Sequence, residues 1–227
     1  MAVRGEILLK PCPICGHSAL AGDRFLYRCA SCGTQVEQKR WLGVRPRDRF
    51  FFQAVSADYR NAEADLVARP FTRAQLTELA GSCYTDTDLT ALATGDFSRL
   101  HLPSSTVAEI LFPQSHETCY VQVNDLVRAE GPPLSEGVAR VNGPADRRNL
   151  KILDQGNLFI SNQRLIFPSD THTIVRTDRK LIGVSTFADA VAVQRKGEDK
   201  ALYFLGFESR SASLVLAYLQ GRLDHLQ

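Results

Sequence analysis

Six cysteines occur in the 227 residues, and four of them stand in two matched pairs within P-C-P-I-C-G-H-S-A-L-A-G-D-R-F-L-Y-R-C-A-S-C-G, residues 11–33. Cys12 and Cys15 form one C-x-x-C, Cys29 and Cys32 the other. A C-x-x-C turn brings both sulfurs toward one point, and two such turns supply the four thiolates that tetrahedral zinc takes. Gly16 and Gly33 follow the pairs, where a backbone curling past a metal needs positive φ. A redox C-x-x-C is the competing chemistry, and two symmetric pairs without a surrounding βαβ pattern argue against it. The same quartet also suits iron. His17 reads as a polar neighbour, since the four sulfurs already complete the set. A closed site of four thiolates leaves no position for water or substrate, so one structural Zn2+ is expected, supplying folding energy to a segment too small to bury its own core.

The segment D-R-F-L-Y-R-C between the pairs alternates like one strand of a hairpin. Residues 5–38 resemble the zinc-ribbon (zinc-knuckle) families, whose signature is C-P-x-C-G followed by a second C-x-x-C-G. The resemblance implies a small β-ribbon that binds nucleic acid or protein.

After the ribbon comes Q-K-R-W-L-G-V-R-P-R-D-R-F-F-F. Lys39, Arg40, Arg45, Arg47 and Arg49 are interleaved with Trp41 and three phenylalanines, a combination that suits phosphate contact with stacking, or a membrane interface. The plainer expectation is a linker with docked aromatics and solvated arginines. Residues 39–104 are thus expected as a basic connector and helical spacer. Within it, 47–68 has a helical texture, Thr72 and Gln75 have capping-box spacing before a helix ending at Gly81, and a second short helix ends at Gly95. Few basic residues fall on this helix pair, which argues against a DNA-reading helix-turn-helix.

Charge is uneven. Residues 1–60 carry 10 Lys/Arg against 5 Asp/Glu, residues 61–104 carry 3 against 6, and the remainder balances, within a formal net charge of +2. Apolar residues make up 44%, as in ordinary globular chains. No apolar run reaches the ~20 residues that cross a bilayer, and the N-terminal apolar stretch is too short for a secretory signal. A cytoplasmic protein, peripheral at the membrane at most, is expected, with cysteines as ligands or free thiols.

Between 105 and 227 the texture turns to β. Runs at 119–123, 158–161, 164–167, 173–176, 181–187, 190–195 and 201–207 are separated by turn residues, which predicts a curved antiparallel sheet. A terminal helix over 211–226 places Ala212, Val215, Leu216, Leu219 and Leu223 on one face. The fold class expected is α+β: a four-cysteine ribbon, a short helical middle, and a half-open antiparallel barrel capped by a C-terminal helix. In G-N-L-F-I-S-N-Q-R-L-I-F, residues 156–167, Leu158/Ile160 and Leu165/Phe167 point inward from two strands joined at Asn162-Gln163, with Gly156 turning the chain into the first. This hairpin resembles the signature of GRAM-type pleckstrin-homology-like domains. S-H-E-T-C-Y-V-Q-V-N-D-L-V-R-A-E and S-E-G-V-A-R-V-N-G are similar to elements of the bacterial type. The resemblance implies a seven-stranded barrel, non-enzymatic, that binds phosphoinositides or protein segments. Arg147-Arg148-Lys151 and Arg176-Arg179-Lys180 are the only basic clusters there, and a solvated surface accounts for both.

Catalytic material is sparse. Asp86, Asp88, His101 and His116 fall at no metal or triad spacing, Cys119 with His116 lacks an orienting group, and Cys83 and Cys119 read as buried thiols. The expectation is a non-catalytic adaptor that docks a protein partner or an anionic membrane. The alternative is a regulatory protein holding nucleic acid through the ribbon and residues 39–49.

Overall fold

The structure is a computed structural model. It describes residues 6–23, 25–41, 45–79, 83–100, 117–141, 143–169, 173–177 and 180–224. The chain divides into two compact units, Met1–Asp88 and Leu89–Gln227.

The first unit is a five-stranded meander in the order β1 (Glu6–Leu9), β2 (Leu20–Asp23), β3 (Leu26–Cys29), β4 (Gln35–Trp41) and β5 (Arg45–Ala54). Each strand pairs antiparallel with the next, as short connections require. Two helices follow, α1 (Arg60–Val67) and α2 (Arg73–Glu78). The expected capping box on α2 is present: the Thr72 hydroxyl accepts from the Gln75 N–H, and the Gln75 side chain accepts from the Thr72 N–H. Asp48, on β5, adds a carboxylate that accepts from the Arg73 N–H at 2.9 Å, where the helix dipole favours negative charge. The structure corrects the helical expectation for 47–68. Arg45–Ala54 is a strand, and helix begins only at Arg60. Phe50 and Phe52 are buried against Tyr59, Leu66, Phe71 and Leu76. Tertiary burial of every second aromatic therefore outweighs the helical preference of the residues that follow. The ribbon cysteines share this core, so the ribbon is not a segment lacking a core of its own, as its short length suggested. Gly81 lies outside the described residues.

The second unit opens on the end of α3 (Asp86–Ala93), whose Gly95 lies at φ +90°, the terminating conformation expected of it. The rest is an eight-stranded curled sheet. Its strands are β6 (Cys119–Gly131), β7 (Gly137–Arg140), β8 (Lys151–Ser161), β9 (Arg164–Pro168), β10 (Thr173–Thr177), β11 (Leu181–Thr186), β12 (Ala190–Arg195) and β13 (Ala201–Leu205), in the spatial order 10-9-8-6-13-12-11-7. Every pair is antiparallel except β11 with β7. The sheet curls as a half-barrel, and helix α4 (Ser209–Asp224) packs against β11 and β12. Its Ala212, Val215, Leu216 and Leu219 are buried on the interior formed by Leu158, Ile160, Leu165, Phe167, Val191, Val193 and Phe204. Leu223 lies beyond the described side chains.

Two strands run longer than their apolar patterns indicated. β6 continues through Asn124-Asp125 because a bulge absorbs them: Asp125 sits at φ +58° and its N–H donates to Asn157 Oδ1 at 3.0 Å. β8 begins at Lys151 because Asp154 is paired rather than solvated. Arg128 Nε and Nη2 donate to its two oxygens at 2.7 and 2.8 Å, and both side chains are 4% exposed. Ser169 Oγ adds a third bond to Asp154. Gly156 does not turn the chain, contrary to the expectation. It lies within β8, and a Cβ there would stand 2.1 Å from the Pro168 carbonyl oxygen, so the glycine admits a neighbouring backbone.

Removing one member of a buried ion pair strands the other charge. Arg128→Met is expected to cost about 3–5 kcal/mol in urea unfolding. The double variant Arg128→Met, Asp154→Leu should recover most of that loss.

Candidate metal centre

The two knuckles are built alike. In the first, Cys12 N–H donates to the Ser18 carbonyl at 2.7 Å and Gly16 N–H to the Cys12 carbonyl at 3.0 Å. In the second, Cys29 N–H donates to Thr34 O at 3.0 Å and Gly33 N–H to Cys29 O at 2.9 Å. Gly16 and Gly33 have φ of +71° and +76°, and no neighbour crowds the place of a Cβ at Gly16. Glycine is needed at both positions for conformation rather than for space.

The turns bring the sulfurs of Cys12, Cys15, Cys29 and Cys32 within 4.8 Å of one another, with Cys15 and Cys29 Sγ 3.6 Å apart. Metal–sulfur bonds of about 2.3 Å in a tetrahedron separate sulfurs by about 3.8 Å, while a disulfide needs ~2.05 Å. All six cysteines are free thiols. The four donors fit one metal ion, and among the described residues they are the one group of three or more metal-binding side chains so placed. Cys12 and Cys29 are fully buried, while Cys15 and Cys32 are half-buried.

Electrostatics show how crowded the cluster is. A hydrogen bond with Cys32 and then burial push the Cys12 thiol far above its ordinary range. The same hydrogen bond from Cys12 draws Cys32 down to about 4, with help from the Thr34 hydroxyl and N–H. Burial raises Cys15. Against this, the N–H groups of Ile14 and Cys15 favour thiolate at Cys12, and that of His17 favours it at Cys15. The knuckle backbone therefore offsets part of the cost of gathering negative sulfur, and a bound cation would offset more of it. Thr34, fully buried and 3.1 Å from Cys32 Sγ, is a supporting residue that sequence reasoning missed, although its place directly after C-G is a usable signal. His17 is exposed.

The basic segment forms one hairpin instead of a linker. Lys39 and Arg40 are on β4, Arg47 and Arg49 on β5, and all four are exposed. Lys39 Nζ lies 5.7 Å from the centre of the Phe51 ring, and the Arg40 guanidinium 5.2 Å from that of Phe25. The backbones of Trp41 and Arg45 pair at the hairpin's open end. The other sequence-flagged residues disperse. Asp86 accepts from Asn61 at 3.0 Å, and Asp88 accepts from Thr85 at the start of α3. Cys119 is buried, its thiol pushed up to about 11 by desolvation. Arg147 pairs with Asp189, and Arg148 with Asp146. His101, His116 and Arg179 lie outside the described residues.

No protein-family model matches the chain, and no curated protein is significantly similar to it. Among solved structures, the C-terminal domain of an unknown protein from Leishmania infantum is 18% identical over 51% of this chain and 95% of its own, with a TM-score of 0.33. Among the described residues, no helix is long and apolar enough to cross a membrane.

Protons compete with metal for thiolates, so metal content should fall as pH is lowered and should return on neutralisation. Gly16→Ala and Gly33→Ala, forced into the left-handed region at roughly 1–2 kcal/mol each, should weaken binding about 5- to 30-fold in a competition titration with a chromogenic chelator.

Proposed function

We propose that this chain is a non-catalytic, zinc-stabilised adaptor of the reducing cytoplasm. Its half-barrel is a GRAM-type pleckstrin-homology-like module that docks a protein partner, and its ribbon is a structural zinc site. The observation that carries the reading is the closure of the four-sulfur cluster: all donors come from the chain, and two are fully buried in the same core as Phe50 and Phe52. Such a site has no open position at which a metal could present water or substrate. The two described acidic candidates for catalysis are engaged locally, Asp86 by Asn61 and Asp88 by Thr85. The hairpin of the half-barrel supports the module assignment. Ser161 Oγ donates to buried Glu117 at 2.6 Å, Arg164 Nε donates to the same carboxylate oxygen at 2.8 Å, and Tyr218 of α4 donates to the Ser161 carbonyl at 2.9 Å. The Ser-Asn turn is thus bound both to the start of β6 and to the capping helix.

The test is crosslinking of the intact protein in cells, with mass-spectrometric mapping. Crosslinks from Lys151, Lys196 and Lys200 of the half-barrel to one recurring protein are expected. Sedimentation with phosphatidylserine vesicles should match that with neutral vesicles. Salt-sensitive sedimentation with the anionic vesicles alone would transfer the docking role to a membrane.

One observation favours a second reading, nucleic-acid binding by the ribbon unit. Phe50 and Phe52 are buried, Arg47 and Arg49 beside them are exposed, and Lys39 lies over the Phe51 ring. Cations beside a ring on an open sheet face suit phosphates and stacked bases. If it holds, a single-stranded oligonucleotide binds with a log–log salt slope of about −0.7 per phosphate contacted. Replacing Arg45, Arg47 and Arg49 by Glu should abolish that binding, and equal binding by the triple variant excludes this reading.

A further inference from the structure

The half-barrel has one edge whose chemistry is set out for pairing. β7 is the terminal strand of the eight-stranded sheet, hydrogen-bonded through its register with β11 on one side only. Among the described residues nothing pairs with its outer edge. All four of its residues are exposed, Val138 is 38% exposed, and Val141, which continues the pairing by donating to Thr186 O at 2.8 Å, is 41% exposed. Natural edge strands are guarded by shortness, by charged side chains (lysine above all), by proline, by a bulge or by a cover. Gly-Val-Ala-Arg is short and carries one cation, Arg140, but it has no lysine or proline, and its pairing with β11 runs without a bulge from Gly137 to Arg140.

Beside this edge lies a cleft of about 200 Å³ between the end of β7 and the start of α4. Its walls include Arg140, Thr186, Phe187, Ser209, Ala212 and Ser213. The one acidic group at the helix start, Glu208, is paired with Arg210 at 2.5 Å. The cleft therefore brings together an exposed guanidinium, three hydroxyl-bearing residues and the positive end of a 16-residue helix beside an apolar ring. Charge and shape here are complementary to one side chain bearing a carboxylate.

We propose that β7 receives an extended acidic segment of a partner protein as a ninth strand, with one Asp or Glu of that segment entering the cleft against Arg140. Main-chain pairing supplies the affinity and the cleft supplies the selectivity, as in strand addition generally. This rests on the protein-docking reading above and names the place and the chemistry of the partner.

The experiment uses the intact chain and a displayed library of random twelve-residue peptides. Enriched peptides are expected to carry an Asp or Glu among β-branched residues, and to shift the amide resonances of Gly137–Arg140. Arg140→Glu and Val138→Asp, both at exposed positions, should weaken the best peptide at least tenfold with an unchanged melting temperature. Lys151→Glu, on β8, should leave it unchanged. Enrichment of peptides without acidic residues, equal binding to both β7 variants, or no enrichment at all overturns the inference. In any of those cases crosslinks from elsewhere on the half-barrel to a recurring partner still sustain the docking reading, so the two fail separately.

Discussion

Four sulfur atoms held within 4.8 Å of one another cannot all be thiolates without a counter-charge, and the first unit is arranged around that constraint. Each knuckle aims backbone N–H groups at its sulfurs, and each uses a left-handed glycine to complete the turn. The donors sit where β1 gives way to β2 and where β3 gives way to β4. A cation held at that point would fix the two connections that set the register of the ribbon. From register follows the identity of the faces: Tyr27, Val36, Phe50 and Phe52 go inward with Cys12 and Cys29, and Lys39, Arg49 and Phe51 go outward. The four-cysteine cluster thus sits where the inward and outward faces of the ribbon are decided.

The second unit solves a different problem, that of holding a half-open sheet shut. Its interior is largely apolar, and two polar sets are gathered within it. Arg128 and Asp154 neutralise each other inside the sheet, with Ser169 completing the carboxylate. At the other end of β8, Ser161 is the hub: it donates to Glu117, accepts from the N–H groups of Gln163 and Arg164, and presents its carbonyl to Tyr218. Asn162 bonds Thr118 in both directions, and its carbonyl accepts from Arg222 of α4. One turn therefore ties together β6, β8, β9 and the capping helix. Hydrogen bonds that converge on one turn from four elements favour a single arrangement of those elements.

Much of this was legible where the chemistry is local. The C-x-x-C spacing and its glycines identified the metal donors, the Thr72/Gln75 spacing identified a helix start, and the boundaries of β12 were readable from A-V-A-V-Q-R. What escaped was decided at a distance. Three consecutive phenylalanines conceal the alternation of β5, which becomes visible only once helices cover Phe50 and Phe52. Asp154-Gln155-Gly156-Asn157 looks like a polar connection until Arg128, Pro168 and Asp125 arrive as its partners. β7, four residues with a glycine at its start, is too short to carry a period of its own and exists because β11 pairs with it.

The places where stability arguments stop accounting for residues are the places with something to offer another molecule. A valine buried in the half-barrel needs no further explanation. A valine more than a third exposed on an edge that no described residue pairs, beside an arginine that borders a cleft, contributes little to folding. The same holds for Lys39 and Arg40 of β4, set over the half-buried rings of Phe51 and Phe25, where each cation–π contact is worth only ~0.5–1 kcal/mol. These two surfaces differ in kind. The ribbon face offers diffuse positive charge with planar groups, which suits a repeating polyanion. The edge of β7 offers directional backbone groups and a single cation, which suits one peptide in one register.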